Sequence, residues 1–422
     1  MPPFLGCIAD DVTGASDLAS ALTVGGMRTE LWFDTSCACR PMPETDAIVI
    51  ALKTRSVPPA VAVRQTLVAL DALQSSRVNR FYYKYCSTFD STEQGNIGPV
   101  AEALMAALHA DGTLFCPATP ENGRTVYCGH LFVNGRLLNR CGMEHHPLNP
   151  MTESDLTQIL SRQSKHAVGL ISRDIIATAP SAIANAIESR IEQGRPLIIV
   201  DAINDGDMET IAAVAARMPF VTGGSGLGGK LPGAYRKEGC LTSLSLEPAI
   251  PVATGPTLLL AGSCSPATQA QVANWSESAP SLSLDIAALI RGDLSLTSIL
   301  DWARTRLLQG SALISSTSSA SEVQSLQSRF GVEKTAAAIE ETMGAVASTF
   351  VAEGIRRLIV AGGETSGAVI RALDIRRFRI GPQIAPGVPW METVDEPYLA
   401  IALKSGNFGQ DDFFRTALEM LP

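Results

Sequence analysis

The stretch FLGCIADDVTGASD, residues 4–17, sets the pattern that the rest of the chain repeats. Its apolar run at 4–9 predicts a buried β-strand, and the adjacent carboxylates of Asp10 and Asp11 end that strand. An amphipathic helix is predicted over 16–24. A strand, a polar turn and a helix in this order begin a βαβ unit, which builds a parallel sheet with helices on its faces.

The same alternation of short apolar runs and longer amphipathic stretches continues along nearly the whole chain. In the first half, further strands are predicted at 29–33, 47–52, 80–84, 113–116, 167–171 and 197–201, with helices at 60–73, 100–109, 181–193 and 207–218. In the second half, strands are predicted at 257–261, 312–315, 358–361 and 399–403. Helices there are predicted at 267–275, 333–352 and 411–421, with one more between the last two strands. The pattern favours the α/β class.

A segment at 241–256 interrupts this alternation. It holds Pro248, Pro251 and Pro256 and shows little periodicity, which is typical of a linker or a crossing segment. The 422 residues of the chain also exceed the ~250–300 residues of most single cores. We therefore expect two domains, at 1–245 and 256–422, each built on a largely parallel sheet flanked by helices.

Charge and composition disfavour several classes of protein. The net charge of −9 argues against a nucleic-acid partner, because nucleic-acid surfaces carry a basic stripe, although local cations can still bind a small anion. No apolar run reaches the ~18 residues of a membrane span, and the N-terminal stretch lacks the basic region of a signal peptide. Nine cysteines at irregular spacing, with Cys37 and Cys39 as the close pair, indicate reduced thiols in a cytoplasm.

Polar side chains follow several of the predicted strands, and ligands of open α/β sheets bind beyond the carboxyl ends of strands. Asp10 and Asp11 are the first such cluster. One carboxylate could cap the following helix, but capping accounts for one acid and not for two. Two acids at this position could instead bind sugar hydroxyls, hold Mg²⁺ or supply a general base.

Two more polar clusters follow the next predicted strands. The segment 53–56 contains Arg55, whose planar guanidinium suits a carboxylate, although a single Arg after a strand also forms surface ion pairs. The segment 83–96, YKYCSTFDSTEQGN, contains Lys84, Ser87 and Asp90 among many hydroxyl and amide side chains. It predicts a hydrogen-bonding cradle for a small polar ligand, while a plain polar loop would have the same composition.

A glycine-rich stretch at 222–231, TGGSGLGGKL, fits G-x-x-x-x-G-K from Gly224 to Lys230. Leu231 stands where a true P-loop has the Ser or Thr that binds Mg²⁺, so a P-loop is rejected. Two interpretations stay open. The glycines could form an anion-binding turn, or they could allow tight packing of a helix on a strand.

Three small-residue turns follow apolar runs in the second half, at 261–265 (AGSCS), 361–367 (AGGETSG) and 404–409 (KSGNFG). Together they predict one pocket of backbone donors and hydroxyls that suits the phosphates of a nucleotide, although ordinary βα turns can look alike. The hydroxyl-rich patch at 315–321 is a phosphate-type loop or a solvated strand-to-helix turn. His145 and His146 beside Glu144 could bind a metal, but a loop before Pro147 explains them equally well.

Taken in order, these motifs resemble those of the four-carbon acid sugar kinase family over nearly the whole chain. The resemblance rests on ADDVTGASD, KTRS, YKYCSTFDSTEQGNIGPV, CPATPENGRTVYCGHLFVNGRLLN, HPLNPMT, GGSGLG, AGSCS, GGETSG and KSGNFG. It implies a two-domain α/β fold in which the N-terminal domain binds a sugar acid and the C-terminal domain binds ATP. The implied reaction is phosphorylation of the C4 hydroxyl of a 3-oxo-tetronate by ATP. Lys230 departs from the family pattern, which makes a phosphate role for it doubtful.

The resemblance also assigns site residues. The acid-sugar site would contain Asp10, Asp11, Arg55, Lys84, Ser87 and Asp90. The nucleotide site would contain Ser263, Gly362, Gly363, Glu364, Thr365 and Gly406. We expect the active site in the interdomain cleft, with Mg²⁺ neutralising the phosphates.

The expected roles follow from the chemistry of phosphoryl transfer. Arg55 or Lys84 would pair with the substrate carboxylate. Asp11, with Asp10 close behind, would orient or deprotonate the hydroxyl, and Asp201 and Asp205 are reserve candidates for the base or the Mg²⁺ ligand.

Several functions stay open as alternatives. They are a kinase of threonate or erythronate, a sugar-acid binding protein without catalysis, and a dehydrogenase, which the absence of G-x-G-x-x-G after the first strand disfavours. The predicted partners are small molecules and no nucleic acid or membrane, with a homo-oligomer left open.

Overall fold

The computed structural model describes residues 2–35, 41–145, 149–241 and 250–421. The chain divides into two compact units, Met1–Leu246 and Glu247–Pro422. Cys37, Cys39, His146 and residues 242–249 of the predicted linker lie outside the described residues. Each unit is a sheet with helices packed on it, so the predicted α/β class and the largely parallel sheets are confirmed.

The first unit is built on a parallel sheet. Its strands are β1 (Leu5–Ala9), β2 (Thr29–Trp32), β3 (Ala47–Ala51), β4 (Arg80–Lys84), β5 (Thr113–Cys116), β6 (Arg124–Tyr127), β7 (His130–Val133), β8 (Arg136–Leu137), β9 (Val168–Ile171), β10 (Leu197–Val200) and β11 (Phe220–Gly223). The order across the parallel sheet is β2-β3-β1-β4-β11-β5-β10-β9, and β6, β7 and β8 form a separate antiparallel sheet. Strands β1 and β3 are buried along their whole length, which explains their continuous apolar sequences.

Helices cover the faces of this sheet. They are α1 (Val12–Val24), α2 (Pro59–Ser75), α3 (Ile97–Leu108), α4 (Leu156–Gln163), α5 (Arg173–Ile176), α6 (Pro180–Glu192), α7 (Asp205–Ala215) and α8 (Ser225–Lys237). Helix α1 begins at Val12, four residues before the predicted start at Ser16, because the side chain of Asp11 caps it by accepting a hydrogen bond from Gly14 N at 3.0 Å.

The second unit repeats the layered plan with a mixed sheet. Its strands are β12 (Thr257–Ala261), β13 (Ser281–Ser283), β14 (Ala312–Ser315), β15 (Arg357–Ala361), β16 (Arg377–Ala385), β17 (Val388–Thr393) and β18 (Ala400–Lys404), in the order β13-β14-β12-β15-β18-β17-β16. Its helices are α9 (Pro266–Ser276), α10 (Ile286–Arg291), α11 (Leu296–Leu307), α12 (Ala320–Phe330), α13 (Val332–Ala352), α14 (Gly363–Ala372) and α15 (Phe413–Glu419). In this order, the strands from β13 to β18 pair in parallel. Strand β17 pairs antiparallel with β18 on one side and with β16 on the other. Trp390, Phe413 and Leu259 are among the residues of its core.

The glycine-rich stretch at 222–231 forms the end of β11 and the start of α8. A Cβ atom at Gly228 would lie 2.2 Å from Leu18 Cδ1, and one at Gly229 would lie 3.2 Å from Ala21 Cβ. These glycines therefore let α8 approach α1 closely. For Gly228 and Gly229, the glycines thus allow tight packing, as one of the two interpretations predicted, but α8 packs on the helix α1 and not on a strand.

Gly223, at the end of β11, is packed equally tightly. A Cβ there would lie 2.5 Å from Tyr82 Oη and 2.7 Å from the carbonyl oxygen of Cys116, which cannot move freely. We expect Gly223→Ala to lower the free energy of unfolding by about 1–3 kcal/mol, the range of overpacked cores.

Gly233, in the interior of α8, is the matched control for this substitution. A Cβ there would have no neighbour within 4 Å, so Gly233→Ala should raise the free energy of unfolding by up to about 1 kcal/mol. Chemical denaturation of both variants measures the difference. Equal stability of the two variants would contradict the packing at Gly223.

Candidate active site

The first cluster of site residues lies where the strand order of the first unit reverses. From β1 the chain runs to β2 and β3 on one side and then to β4 on the other, so the carboxyl end of β1 is a topological switch point. Backbone hydrogen bonds join the three segments there. Asp10 N donates to Lys84 O at 3.1 Å, and Thr54 N and Arg55 N donate to Asp10 O at 2.9 and 3.2 Å.

A bidentate ion pair links Arg55 to Asp10. Arg55 Nε and Nη2 donate to the two carboxylate oxygens of Asp10 at 2.9 and 2.8 Å, and Nη2 also donates to Asp11 Oδ1 at 2.8 Å. Burial raises the pKa of the Asp10 carboxyl, and the Arg55 guanidinium opposes that rise. The guanidinium thus holds both acids, which fixes the position of one relative to the other.

Asp11 is the more accessible of the two acids. Its side chain is 25% exposed, against 4% for Asp10. Burial alone would raise the pKa of the Asp11 carboxyl, but Arg55, Lys84 and the hydrogen bonds from Thr13 Oγ1 and Gly14 N together hold that pKa below its usual range. Asp11 is therefore an ionised carboxylate that solvent can reach, and it serves as a helix cap as well.

Lys84 and Asp17 complete this charged cluster. Lys84 is buried, and its ammonium donates to Tyr85 O at 3.2 Å. Asp17, on α1, accepts a hydrogen bond from Ser225 at the start of α8, and burial raises the pKa of its carboxyl, with the Lys84 charge opposing. Sequence reasoning missed Asp17 and Ser225, although Asp17 follows Thr13 at the i+4 spacing that puts both residues on one face of α1.

The polar loop after β4 folds on itself and holds the Arg55 segment. Thr88 Oγ1 donates to Asp90 Oδ1 at 2.6 Å, and Ser87 is half-buried beside it. Asn96 Nδ2 donates to three carbonyl oxygens, those of Thr54, Arg55 and Val57, and its own Oδ1 is buried without a described partner. Asn96 thus shapes the segment that presents Arg55, a role that composition alone does not reveal.

The two reserve acids have structural partners. The Asp201 carboxylate accepts backbone hydrogen bonds from Cys128, Gly129 and Arg173 at 2.8–3.0 Å, which ties the β6–β7 turn and α5 to the end of β10. Asp205 pairs with Lys230 at 3.0 Å on the surface. These contacts account for both acids, and for Lys230, without a reaction.

The three small-residue turns of the second unit lie side by side. Ala261 pairs with Ala361 and Ala361 pairs with Lys404, so β12, β15 and β18 end at the same level. A Cβ at Gly406 would lie 2.2 Å from Ser263 Oγ, and a Cβ at Gly262 would lie 2.0 Å from Thr365 Oγ1. A side chain at position 262 or 406 would therefore displace these hydroxyls. The cradle formed by the three turns contains Ser263, Gly362, Gly363, Glu364, Thr365 and Gly406.

The N-terminus of helix α14 lies at this cradle and has no side-chain cap. Gly362 has φ +124° and gives α14 no side-chain cap, whereas Ser265 caps α9 and Ser319 caps α12 in a capping box with Glu322. The first N–H groups of α14 and its dipole favour an anion. The hydroxyl-rich patch at 315–321 is a strand-to-helix turn, and Thr317 Oγ1 ties it to the cradle by donating to Ser263 O at 2.9 Å.

Two domain families match the chain. Residues 5–231 match a sugar-binding N-terminal domain, and residues 258–414 match a nucleotide-binding C-terminal domain. A protein from Cupriavidus necator named 3-oxo-tetronate kinase is 48% identical over 99% of this chain and 97% of its own length. The chain belongs to the four-carbon acid sugar kinase family. The resemblance deduced from the sequence motifs is confirmed.

Further relatives and solved structures agree in fold and extent. The 3-oxo-tetronate kinase of Salmonella typhimurium is 40% identical over 97% of both chains. A solved structure from Salmonella typhimurium, described as a putative tRNA synthase, has a TM-score of 0.90 at 38% identity and covers 99% of both chains. A Haemophilus influenzae structure has a TM-score of 0.85 at 38% identity, covering 99% of this chain and all of its own. These relatives share the α/β architecture described above.

The two domain families divide the predicted site residues of this kinase family member into two sets. The acidic and basic cluster of Asp10, Asp11, Arg55 and Lys84 lies within the sugar-binding match, and the small-residue cradle lies within the nucleotide-binding match. In the described ranges, no helix is long and apolar enough to cross a membrane.

Gly14 offers a direct test of the charged cluster. A Cβ at Gly14 would lie 2.2 Å from Asp11 Oδ1 and 2.5 Å from Lys84 Nζ, so Gly14→Ala must displace both charged groups. We expect Gly14→Ala to fold, because flexible side-chain ends can move, but to lose kcat/KM by about 10-fold or more. Gly233→Ala is the matched control and should keep full activity. A fully active Gly14→Ala enzyme would contradict a role for the cluster.

Proposed function

We propose that this chain is an ATP-dependent kinase that phosphorylates the C4 hydroxyl of a 3-oxo-tetronate in four-carbon sugar-acid catabolism. One observation carries the proposal: a buried charged cluster follows β1 and β4 in one unit, and a small-residue cradle with an uncapped helix N-terminus follows β12, β15 and β18 in the other. The names of the relatives add the substrate, a 3-oxo-tetronate. A cytoplasmic location is proposed with it, because ATP is the co-substrate and every described cysteine is unpaired.

Lys84 is the residue proposed to bind the substrate carboxylate. Two of the three guanidinium nitrogens of Arg55 already hold Asp10 and Asp11, so Arg55 is assigned to fixing those acids. The Lys84 ammonium has three N–H donors and makes one described hydrogen bond. Ser87 and Asp90, in the loop after β4, are proposed to bind the hydroxyl and carbonyl groups of the sugar acid.

Asp11 is proposed to orient the C4 hydroxyl and accept its proton. It is ionised, partly exposed and held in place by Arg55 and Thr13, whereas Asp10 is buried in its ion pair. Phosphoryl transfer depends mainly on positioning and on neutralising charge, so a firmly held carboxylate suits this role even with a low pKa. Asp10 supports Asp11 in this role because both carboxylates bind the guanidinium of Arg55.

The nucleotide phosphates are proposed to lie at the N-terminus of α14. Backbone N–H groups at Gly363 and Gly406 would donate to them, with the hydroxyls of Ser263 and Thr365 nearby. The Gly362 N–H donates to Lys404 O at 2.9 Å, so Gly362 is proposed to shape the turn rather than to bind phosphate. Glu364 is exposed in the first turn of α14. A carboxylate repels bare phosphate, so Glu364 fits beside a cation or a ribose hydroxyl.

Mg²⁺ is proposed as the metal that accompanies ATP. Among the described residues, no group of three His, Cys, Asp or Glu side chains could hold a metal by itself. Mg²⁺ commonly keeps several waters and is bound by phosphate with one or two carboxylates, such as the exposed Glu364 at the cradle. The ion would neutralise charge on the phosphates, while the protein residues position both substrates.

The substrate assignment is tested by a coupled assay of ADP release. The panel contains the 3-oxo forms of threonate and erythronate and the two non-oxidised acids. We expect the 3-oxo acids to give the highest kcat/KM. A clear preference for threonate or erythronate would make this a kinase of the non-oxidised acid. ATP binding without turnover of any acid would contradict kinase activity.

Asp11→Asn tests the proposed acceptor of the proton. Asn caps helices as well as Asp does, so α1 keeps its cap while the charge is lost. We expect kcat to fall by about 10²-fold or more. Asp205→Asn, which breaks a surface ion pair, is the matched control and should leave kcat unchanged. A near-wild-type kcat for Asp11→Asn would end the assignment.

A further inference from the structure

Lys404 is a fully buried cation at the carboxyl end of β18. Its ammonium donates to Thr268 Oγ1 at 3.1 Å and to the carbonyl oxygens of Ser405 and Gly406, both at 3.0 Å. These three bonds use all three of its N–H groups. In the described ranges, no carboxylate forms an ion pair with it.

A buried ammonium without a counter-ion is costly, because burial disfavours the charged form. That desolvation lowers the pKa of Lys404 to about 8. The neighbours of the ammonium are Thr268 on α9, the carbonyls of its own turn and the Phe413 ring on α15, whose centroid is 5.8 Å away. None of these groups titrates. An apolar side chain of similar volume would fill the same space without this cost.

The carbonyls that Lys404 binds belong to the turn that closes the small-residue cradle. Gly406 O accepts from Lys404 and also from Thr268 Oγ1 at 2.8 Å, while Gly406 itself packs against Ser263. In a trans peptide the N–H of the next residue points away from the carbonyl oxygen. The N–H groups of Gly406 and Asn407 therefore point away from Lys404.

Gln271 holds the other end of the same turn. Its Nε2 donates to the carbonyl oxygens of Phe408, Gly409 and Gln410 at 3.0–3.1 Å. The turn thus has two inner anchors, one charged and one neutral. Substituting Lys404 and Gln271 in turn therefore separates the effect of the buried charge on nucleotide binding from the effect of the shape of the turn.

We propose that Lys404 is a positioning residue of the nucleotide site, which orients the 405–407 peptides and places a buried positive charge behind them that favours phosphate. It acts through the turn and does not touch the nucleotide. This inference rests on the proposed nucleotide site in the same cradle. It assigns the positive charge of this glycine-rich pocket, whose other ionisable member is the acid Glu364, to one residue.

The first test is Lys404→Met in the full-length enzyme. We expect the KM for ATP to rise about 10-fold or more, the scale of a lost charge-assisted contact, with a much smaller change in kcat. In calorimetry the loss of affinity should grow from adenosine to AMP, ADP and ATP, since it depends on phosphate charge. Gln271→Leu keeps the charge, so the loss it causes should grow less from AMP to ADP and ATP than the loss in Lys404→Met.

The second test is the pH dependence of ADP binding by the wild-type protein, which needs no variant. The ammonium of Lys404 is charged below about pH 8 and neutral above it, so the affinity should be full below pH 8 and fall as the pH rises further. The Gln271→Leu protein should keep this dependence and Lys404→Met should lose it.

Three results would overturn the inference. They are a folded Lys404→Met enzyme with the wild-type KM for ATP, an equal loss of adenosine and ATP affinity in that variant, and a wild-type ADP affinity that does not change between pH 7 and 10. Failure of the wild-type protein to bind ADP at pH 7 would instead contradict the proposed function, and the inference would fall with it.

Discussion

The ion pair between Arg55 and Asp10 is the contact on which the charged cluster of the first unit depends. Asp10 is buried at the end of β1, and a buried carboxylate is tolerated only when it is paired and hydrogen-bonded. Arg55 meets that need and reaches Asp11 as well. Asn96 fixes the segment that carries Arg55 by donating hydrogen bonds to three of its carbonyl oxygens. Because Arg55 in turn holds Asp11, the position of Asp11 depends on residues far from it in the sequence.

Under the proposed function, the two units would meet an anion in different ways. The first unit would use side-chain charge, with Lys84 and Arg55 among Asp10, Asp11 and Asp17. The second unit would use backbone N–H groups and hydroxyls in turns that pack tightly around glycine, with the buried ammonium of Lys404 beneath them. An overall charge of −9 is compatible with anionic substrates on this proposal, because the positive charge is local.

Much of the fold could be predicted from the sequence because the parallel strands are buried on both faces and are continuously apolar. Strands β1, β12 and β14 show this, since their predicted ends lie within one residue of the observed ends. The antiparallel pair β16–β17 was missed because Pro382, Pro386 and Pro389 interrupt it, and proline disfavours a strand. The strands β11 and β13, the small sheet β6–β8 and the helices α4, α5, α8, α10, α11 and α12 were also not predicted. Each of these strands has at most four residues, which is too short for a clear alternation of apolar and polar residues.

The site could be predicted less completely, because its members are set by contacts between distant segments. Asp10, Asp11 and Lys84 were found because each lies at the carboxyl end of a strand. Asp17 lies inside a helix, and its link to Ser225 spans more than two hundred residues of sequence. Lys404 was predicted only as the start of a turn. The burial of its ammonium depends on Thr268 and Phe413, which are distant in sequence or lie on another element. Asp201 looked chemically available, and only the fold shows that backbone N–H groups hold it.

The close contact of α1 with α8 has a consequence for how this enzyme tolerates change. Gly228 and Gly229 bring the two backbones so near that the short hydroxyl side chain of Ser225 spans the gap to Asp17. A larger residue at either glycine would widen the gap beyond the reach of serine and leave a buried acid unsupported. These two positions, which carry no chemistry of their own, therefore act as a spacer that sets the charge distribution at the carboxyl end of the sheet.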